Sequence, residues 1–222
     1  MAQQVAHEIK NPLTPMKLNL QHLERQLNVS GEEFQKMKPQ IEKIAANMIG
    51  QIESLNKIAS DFSKFAQPSD QEFKAVEINA LLISVSELYA QEKQLEIVTA
   101  LSPQKLWIMG AEDEIRRAFI NLVKNAYEAM PDGGKIILKS ATTSSKENVE
   151  ISVQDYGEGI PEESRDKIFV PNFSTKSSGT GLGLAITKKI IQEHNGDISF
   201  TSTVGEGTIF TIKLPEKDAS SN

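Results

Sequence analysis

Cysteine is absent from this chain of 222 residues. Its absence excludes a disulfide framework and any metal site built on thiolates. The absence also fits a reducing compartment, so we expect the protein to act in the cytoplasm. A hydrophobic content of 39% is sufficient for one large globular domain or two modest ones.

Basic residues are scarce relative to acidic ones. The chain has 24 Lys and Arg against 30 Asp and Glu, which gives a formal net charge of -6. Binding to nucleic acid needs clustered basic side chains that neutralise phosphates. The composition therefore predicts that nucleic acid is not a partner.

Long apolar runs are missing as well. No run approaches the roughly 20 residues that cross a bilayer, and the N-terminus lacks the pattern of a signal peptide. We therefore expect no membrane contact by this stretch of chain. Helical periodicity is already under way at Met1, with no N-cap before it. This pattern indicates a cut through a longer protein, in which a sensory or membrane-anchoring region would lie outside the sequence.

Residues 1–66 carry apolar side chains at every third or fourth position, the period of two long amphipathic helices with a turn at 28–31. Two helices alone leave both apolar faces open to water. We therefore expect an antiparallel hairpin that pairs with a second copy, so that a homodimer contains a four-helix bundle. Residues 1–67 are predicted to form this dimerisation domain.

From about Gln67 the pattern changes to short β-rich stretches that alternate with helices. Strands are predicted at 73–78, 95–101, 106–109, 135–142, 149–154, 198–203 and 208–214, and helices near 79–90, 112–130 and 181–194. This order favours an α+β fold with one mixed sheet that helices cover on one face. The second domain is predicted to span 68–216, followed by a disordered tail at 217–222.

His7 opens the first helix within the block His7-Glu8-Ile9-Lys10-Asn11. At about 100° per residue, His7 lies roughly 175° from the centre of the apolar seam, so its ring is predicted to face solvent, with Asn11 on the same outward face. A neutral imidazole can attack phosphorus, and Glu8 could accept the proton of Nδ1 so that Nε2 is the nucleophile. An ordinary exposed histidine is the alternative, as it is for His22. For His194 we expect a surface or helix-end role.

Two asparagines, Asn121 and Asn125, lie four residues apart on one face of a predicted helix. Amide oxygens are hard neutral ligands that suit Mg²⁺ when the ion bridges phosphates and keeps much of its water. We predict Asn125 as the metal ligand, with Asn121 supporting it. The alternative is that both side chains cap or bond neighbouring loops.

Asp155 directly follows a predicted strand and opens the block Asp155-Tyr156-Gly157-Glu158-Gly159-Ile160. A carboxylate there can accept a hydrogen bond from the exocyclic amine of adenine, and Gly157 and Gly159 permit a close approach of the backbone. An ordinary Asp-Gly turn is the alternative.

A second glycine-rich block opens the last predicted helix. Backbone N–H groups of a glycine-rich turn at a helix N-terminus form an anion site. The residues predicted to contribute are Gly179, Thr180, Gly181, Leu182, Gly183 and Leu184. Lys176 could add positive charge near a γ-phosphate. The stretch from Ile168 to Lys176 supplies apolar anchors and is followed by a polar part up to Gly179, a pattern that fits a mobile lid.

These blocks, in this order, closely resemble the kinase core of bacterial sensor histidine kinases, within the NtrB/NtrY-like branch. The resemblance covers essentially the whole chain. It identifies an H box at His7, an N box at Asn121–Asn125, a G1 box at Asp155–Gly159, an F box at Phe169–Phe173 and a G2 box at Gly179–Gly183.

The resemblance implies a helical phosphotransfer hairpin joined to an ATP-binding α/β sandwich of the type found in Hsp90, gyrase and MutL. ATP and Mg²⁺ are the implied cofactors, with adenine at Asp155 and near Thr208, and the metal at Asn125. His7 would be phosphorylated and would pass the phosphoryl group to an Asp of a response-regulator receiver domain. Asn11 would orient water for the reverse, phosphatase activity.

Two other functions remain open. Related ATPase machines use a Glu four residues before the metal Asn to activate water, and this chain has Asn121 there. A catalytically silent dimeric scaffold would need a broken nucleotide site, and the blocks are intact. One position departs from many relatives, which carry a basic residue where this chain has Glu128. Phosphate contacts would then depend more on Lys124 and Lys176.

Overall fold

A computed structural model describes residues 13–21, 32–66, 72–145, 147–174 and 181–217. The chain divides into two compact units, Met1–Pro68 and Ser69–Asn222. We call them the helical unit and the sheet unit, and we describe each by itself. In the described ranges, no helix is long and apolar enough to cross a membrane.

The helical unit contains two described helices, α1 at residues 13–21 and α2 at Glu32–Ala66. The described side chains of the predicted seam are mostly half-buried or exposed. Leu20 is 55% exposed and Ile52 is 44% exposed, whereas Ile44 is buried. The predicted turn at 28–31 lies outside the described residues.

The sheet unit alternates strands and helices in an α+β arrangement, as predicted. Its elements are β1 (Lys74–Glu77), α3 (Ile78–Glu87), β2 (Leu95–Ala100), β3 (Trp107–Gly110), α4 (Glu112–Glu128), β4 (Gly134–Thr142), β5 (Asn148–Gln154), a 3-10 helix (Glu162–Lys167), α5 (Gly183–Glu193), β6 (Asp197–Thr203) and β7 (Gly207–Pro215).

Five of the strands form a mixed sheet in the order β2-β4-β5-β7-β6. The pair β2–β4 is parallel and the other pairs are antiparallel. Alternate residues along β4, β5 and β7 are buried, and α3, α4 and α5 contact this sheet. The alternation gives the sheet one apolar face, which the helices cover.

The expectation of one sheet for all strands is wrong. β1 and β3 form a separate antiparallel pair, in which Val76 and Ile108 are register partners and both are buried. Each of these strands is four residues long and leads at once into a helix. Glu77 ends β1 because its carboxylate caps α3, accepting hydrogen bonds from the amides of Asn79 at 3.0 Å and Ala80 at 2.8 Å. Alternation in a sequence predicts a strand but leaves its partner open.

Candidate nucleotide-binding site

Asp155 directly follows β5 and is 4% exposed. Its Oδ1 accepts hydrogen bonds from the backbone N–H of Gly157 at 2.9 Å and from that of Thr208 at 3.1 Å. The Asp155 amide in turn donates to the carbonyl of Thr208 at 2.9 Å. Backbone donors on both sides therefore fix the orientation of this carboxylate between β5 and β7, which are neighbours in the sheet.

The loop after Asp155 is held from two directions. The amide of Glu158 donates to the carbonyl of Ala129, just beyond α4, at 3.2 Å, and the carbonyl of Glu158 accepts from the amide of Gly205 at 2.9 Å. Gly157 and Gly159, both predicted site residues, lie in this loop. The loop thus joins the end of α4 to the turn between β6 and β7.

Ser202 is a site residue that sequence reasoning missed. Its hydroxyl accepts from the amide of Ile160 at 2.8 Å, donates to the carbonyl of Gly207 at 3.0 Å and lies 2.9 Å from the hydroxyl of Thr208. Thr208 is buried, like Asp155 beside it. The cross-strand register of β6 and β7 pairs Ser202 with Thr208, and no local pattern in the sequence reports that register.

Asn121 and Asn125 lie on α4, both half-buried, as the helical spacing predicts. The Nδ2 of Asn121 donates to the carbonyl of Gly183 at 3.4 Å, a long bond that links α4 to the start of α5. In the part of the chain that the structure describes, no hydrogen bond involves the Asn125 carboxamide. The oxygen of Asn125 can therefore accept a cation, and the metal roles of Asn125 and Asn121 stay predictions.

The start of α5 has the chemistry of an anion site. Leu182 is the N-cap residue, and no side chain caps the helix there. The amides of the first helical turn, beginning with Gly183 and Leu184, therefore lack the partners that a capping side chain would supply. Leu182 is buried and fixes this turn against the core. Gly181, which precedes it, is described, whereas Lys176, Gly179 and Thr180 lie outside the described residues.

Lys124 and Glu128 lie one turn apart on α4, and the Lys124 Nζ is 3.7 Å from the Glu128 carboxylate. Both side chains are well exposed, so the pair contributes little to stability. Glu128 therefore partly neutralises the lysine that could otherwise have acted on a phosphate.

The donor set suits Mg²⁺ held mainly through phosphates. The described residues contain no group of three or more His, Cys, Asp or Glu side chains that could hold a metal. Mg²⁺ commonly takes one or two protein ligands, with water and substrate phosphates as the rest. A single amide oxygen from Asn125 next to a phosphate site fits that chemistry.

Two of the three histidines, His7 and His22, lie outside the described residues, as do Glu8 and Asn11. His194 caps the end of α5, as expected for a helix-end role, but a surface position is wrong because only 2% of it is exposed. Its Nε2 accepts from the amide of Ala111 at 2.9 Å, and its Nδ1 lies 2.7 Å from the carbonyl of Ile190. Phe73 stacks on the ring at 4.6 Å. His194 therefore connects α5 to the start of α4 in the core.

The mixed sheet, the buried Asp155 and the uncapped start of α5 fit the nucleotide-binding fold that the sequence predicts. Two family models match the chain: "His Kinase A (phospho-acceptor) domain" over residues 1–71, and "Histidine kinase-, DNA gyrase B-, and HSP90-like ATPase" over residues 110–218. The chain belongs to the histidine kinase family.

Individual relatives agree with this assignment. Sporulation kinase C of Bacillus subtilis is 33% identical over 99% of this chain and 49% of its own length. The catalytic domain of histidine kinase ThkA is 34% identical, with a TM-score of 0.60 over 66% of this chain and 97% of that domain. Histidine kinase ThkA in complex with response regulator TrrA matches at 28% identity, with a TM-score of 0.73 over 98% of this chain and 61% of that one.

The chain spans 34% to 49% of the length of the first curated relatives that it matches. The prediction of a histidine kinase core is confirmed at the level of the family and its two domains. The narrower assignment to the NtrB/NtrY-like branch stays a prediction.

Proposed function

We propose that this chain is the kinase core of a two-component sensor, acting in the cytoplasm, which transfers the γ-phosphoryl group of ATP to His7 and then to an Asp of a response regulator. One observation carries the proposal. The same chain matches a phospho-acceptor domain over the residues that include His7, and its ATPase-like part holds a buried Asp155 carboxylate oriented by two backbone donors.

Each site residue has a distinct task in this proposal. Asp155 and Thr208 recognise adenine, and the α5 start, from Gly181 to Leu184, binds phosphate oxygens together with Gly179, Thr180 and Lys176. Asn125, supported by Asn121, holds Mg²⁺, which would neutralise charge on the β- and γ-phosphates. The rigid Asp155 carboxylate supports adenine recognition because its orientation is set before any base arrives.

The phosphorylation step uses a neutral imidazole. The Nε2 of His7 attacks the γ-phosphorus, the bond from that phosphorus to the β–γ bridging oxygen breaks, and ADP leaves. Glu8 accepts the proton of Nδ1 as the new P–N bond forms. The phosphoryl group then moves to a carboxylate oxygen of the regulator as the P–N bond breaks, and Glu8 returns the proton to Nδ1, so the imidazole is neutral again. Asn11 would orient water in the reverse, phosphatase activity.

The proposal includes a homodimer. Leu13, Leu18, Leu20, Ile49 and Ile52 of the helical unit are 44% to 61% exposed. Solvent-exposed apolar side chains repeated along two helices favour burial against a second copy. The regulator partner is supported by the solved complex of ThkA with TrrA, a response regulator protein.

A free-standing ATPase is the weaker candidate. Hydrolysis by water would require a general base near the γ-phosphate, and Asn121 occupies the position where related ATPases have a Glu. The Asn121 carboxamide cannot accept a proton from water, and its Nδ2 already donates to Gly183. An external acceptor such as His7 accounts better for this site.

Labelling with ATP that carries radioactive γ-phosphate tests the assignment. The parent chain should acquire label that acid removes and base does not, the behaviour of a phosphoramidate. The His7→Gln variant should acquire none, and His22→Gln, a second histidine in the same domain, should be labelled like the parent. Label on His7→Gln with the same acid sensitivity would contradict the proposal.

A further inference from the structure

Asn172 lies where the backbone enters the stretch that precedes α5. It has a left-handed φ of +66°, and Gly181 opposite has a φ of +63°. The Asn172 amide donates to the Gly181 carbonyl at 3.0 Å. A Cβ on Gly181 would lie 2.6 Å from the Asn172 carbonyl carbon, so the two backbones are in tight contact. We call this pair the stem.

The Asn172 side chain is unusual in its hydrogen bonding. Its Oδ1 and Nδ2 are both buried, and neither has a hydrogen-bond partner. Each of the other side chains with such atoms in the described ranges, for example Glu114 and Arg165, has one such atom. A primary amide can make up to four hydrogen bonds, and burying it with none destabilises this state of the protein.

The backbone conformation does not account for the asparagine. Asparagine tolerates a left-handed φ, but glycine adopts it at no steric cost. The buried, unpaired carboxamide therefore has a free-energy cost, and the backbone conformation of the stem does not require a carboxamide. Backbone outliers and unpaired buried polar groups concentrate at ligand clamps, where a second state supplies the missing partners.

The stem is attached firmly on both sides. Upstream, the Phe169 ring contacts Phe200 and Phe210 of the sheet at centroid distances of 6.1 and 6.4 Å, and the Lys188 Nζ lies 5.2 Å from the centre of the Phe169 ring. Downstream, Gly181 leads within two residues into α5, where the Gly183 carbonyl accepts from Asn121. Asn172 is thus connected through Gly181 to the start of α5, and through the bond from Asn121 to Gly183 to α4.

We propose that Asn172 is a positioning residue for the nucleotide: its carboxamide gains hydrogen-bond partners only when an adenine nucleotide occupies the site. The inference rests on the proposed function, since it requires that the site bind ATP. Nucleotide binding and pairing of the amide are then thermodynamically linked. Removing the carboxamide should stabilise the empty protein and weaken nucleotide binding.

The test uses the full chain with Asn172→Gly, which keeps the left-handed backbone and removes the amide. Calorimetry with ADP and with a non-hydrolysable ATP analogue should show the Kd rising about tenfold. The melting temperature without nucleotide should rise by about 3 °C. Asn195→Gly is the matched control because Asn195 also has a left-handed φ, +56°, with an exposed side chain, and it should leave Kd unchanged.

Asn172→Asp tests the same inference with a side chain of the same shape, because an acceptor oxygen replaces the donor Nδ2. This variant should also raise the Kd for the nucleotide. This variant carries the test if the glycine variant fails to fold. A Kd within twofold of the parent in the variant that folds would overturn the inference, whatever the melting temperature. A parent chain that binds neither ADP nor the analogue would instead overturn the proposed function.

Discussion

The two units of the chain differ in how they bury apolar side chains. The sheet unit holds all of the largest fully buried side chains, among them Phe119, Leu82 and Ile191. In the helical unit, Ile44 is the single buried residue among the side chains that the structure describes. The sheet unit therefore closes its core within one chain, whereas the helical unit offers an apolar seam that needs another surface.

Because of this difference, the stabilities of the two units should depend differently on protein concentration. The stability of the sheet unit follows from contacts within one chain, so point changes there should act at any protein concentration. If the helical unit associates with a second copy, as proposed above, its stability should depend on protein concentration.

The largest effect is expected from Gly207→Ala, which disrupts packing in the core of the sheet unit. Gly207 has a φ of +114°, and a Cβ there would lie 2.2 Å from the carbonyl oxygen of Asp155. The backbone around Asp155 must shift, so we expect a loss of at least about 3 kcal/mol in unfolding free energy and a large loss of ATP affinity. Denaturant unfolding and calorimetry measure the two losses.

Gly205→Ala is the matched control in the same turn. Gly205 also has a positive φ, +79°, but no atom lies within 4 Å of a Cβ placed there. Only the conformational term remains, about 1–2 kcal/mol. Equal losses for the two variants would show that the contact with Asp155 is not what requires glycine at 207.

The second largest effect is expected from Ile52→Glu, which places a charge on the exposed apolar seam of the helical unit. If two copies bury Ile52, each dimer loses two apolar side chains from its interface and gains two charges. The dimer dissociation constant should rise at least about a hundredfold. Sedimentation equilibrium measures it, and the ATP affinity of the sheet unit should not change.

Asn47→Glu is the control for added charge on the same helix. Asn47 is exposed and lies about 140° around the helix from Ile52. It should leave the dissociation constant within a fewfold of the parent. A parent chain that sediments as a monomer at all concentrations would contradict the proposal that the helical unit buries its apolar seam against a second copy.

The smallest effect concerns Tyr89, at the margin of the closed core. Burial, and then the charges of Glu128 and Glu92, raise the pKa of Tyr89 above its ordinary value. Because the fold favours the neutral phenol, its stabilising contribution is complete below about pH 10 and is lost as pH rises through the higher folded pKa. Tyr89→Phe should therefore lose less stability than the parent above about pH 10.

After allowance for solvent screening at this half-exposed ring, the difference is roughly a few tenths of a kcal/mol. Urea midpoints measured from pH 8 to 11 would reveal it, and the two proteins should show no pH-dependent divergence below pH 9. Parallel curves for the two proteins up to pH 11 would contradict this account of the tyrosine.

Local patterns in the sequence predicted most elements of the sheet unit because amphipathic periods and helix ends are local properties. The spacing of Asn121 and Asn125 placed both on one face of α4, and the strand pattern placed Asp155 directly after β5. The roles of Ser202 and His194 could not be predicted. Both depend on partners far away in sequence: the Ser202 hydroxyl accepts from Ile160 across 42 positions, and the His194 ring accepts from Ala111 across 83 positions.

The contact between Asp155 and Thr208 spans 53 positions and joins β5 to the final strand. The Asp155 carboxylate therefore takes its observed orientation only after the strand that carries Thr208 has been synthesised and has paired with β5. In the function proposed above, residues 1–71 with the acceptor histidine leave the ribosome before that strand, so this domain cannot be phosphorylated by its own nucleotide site until β7 has formed.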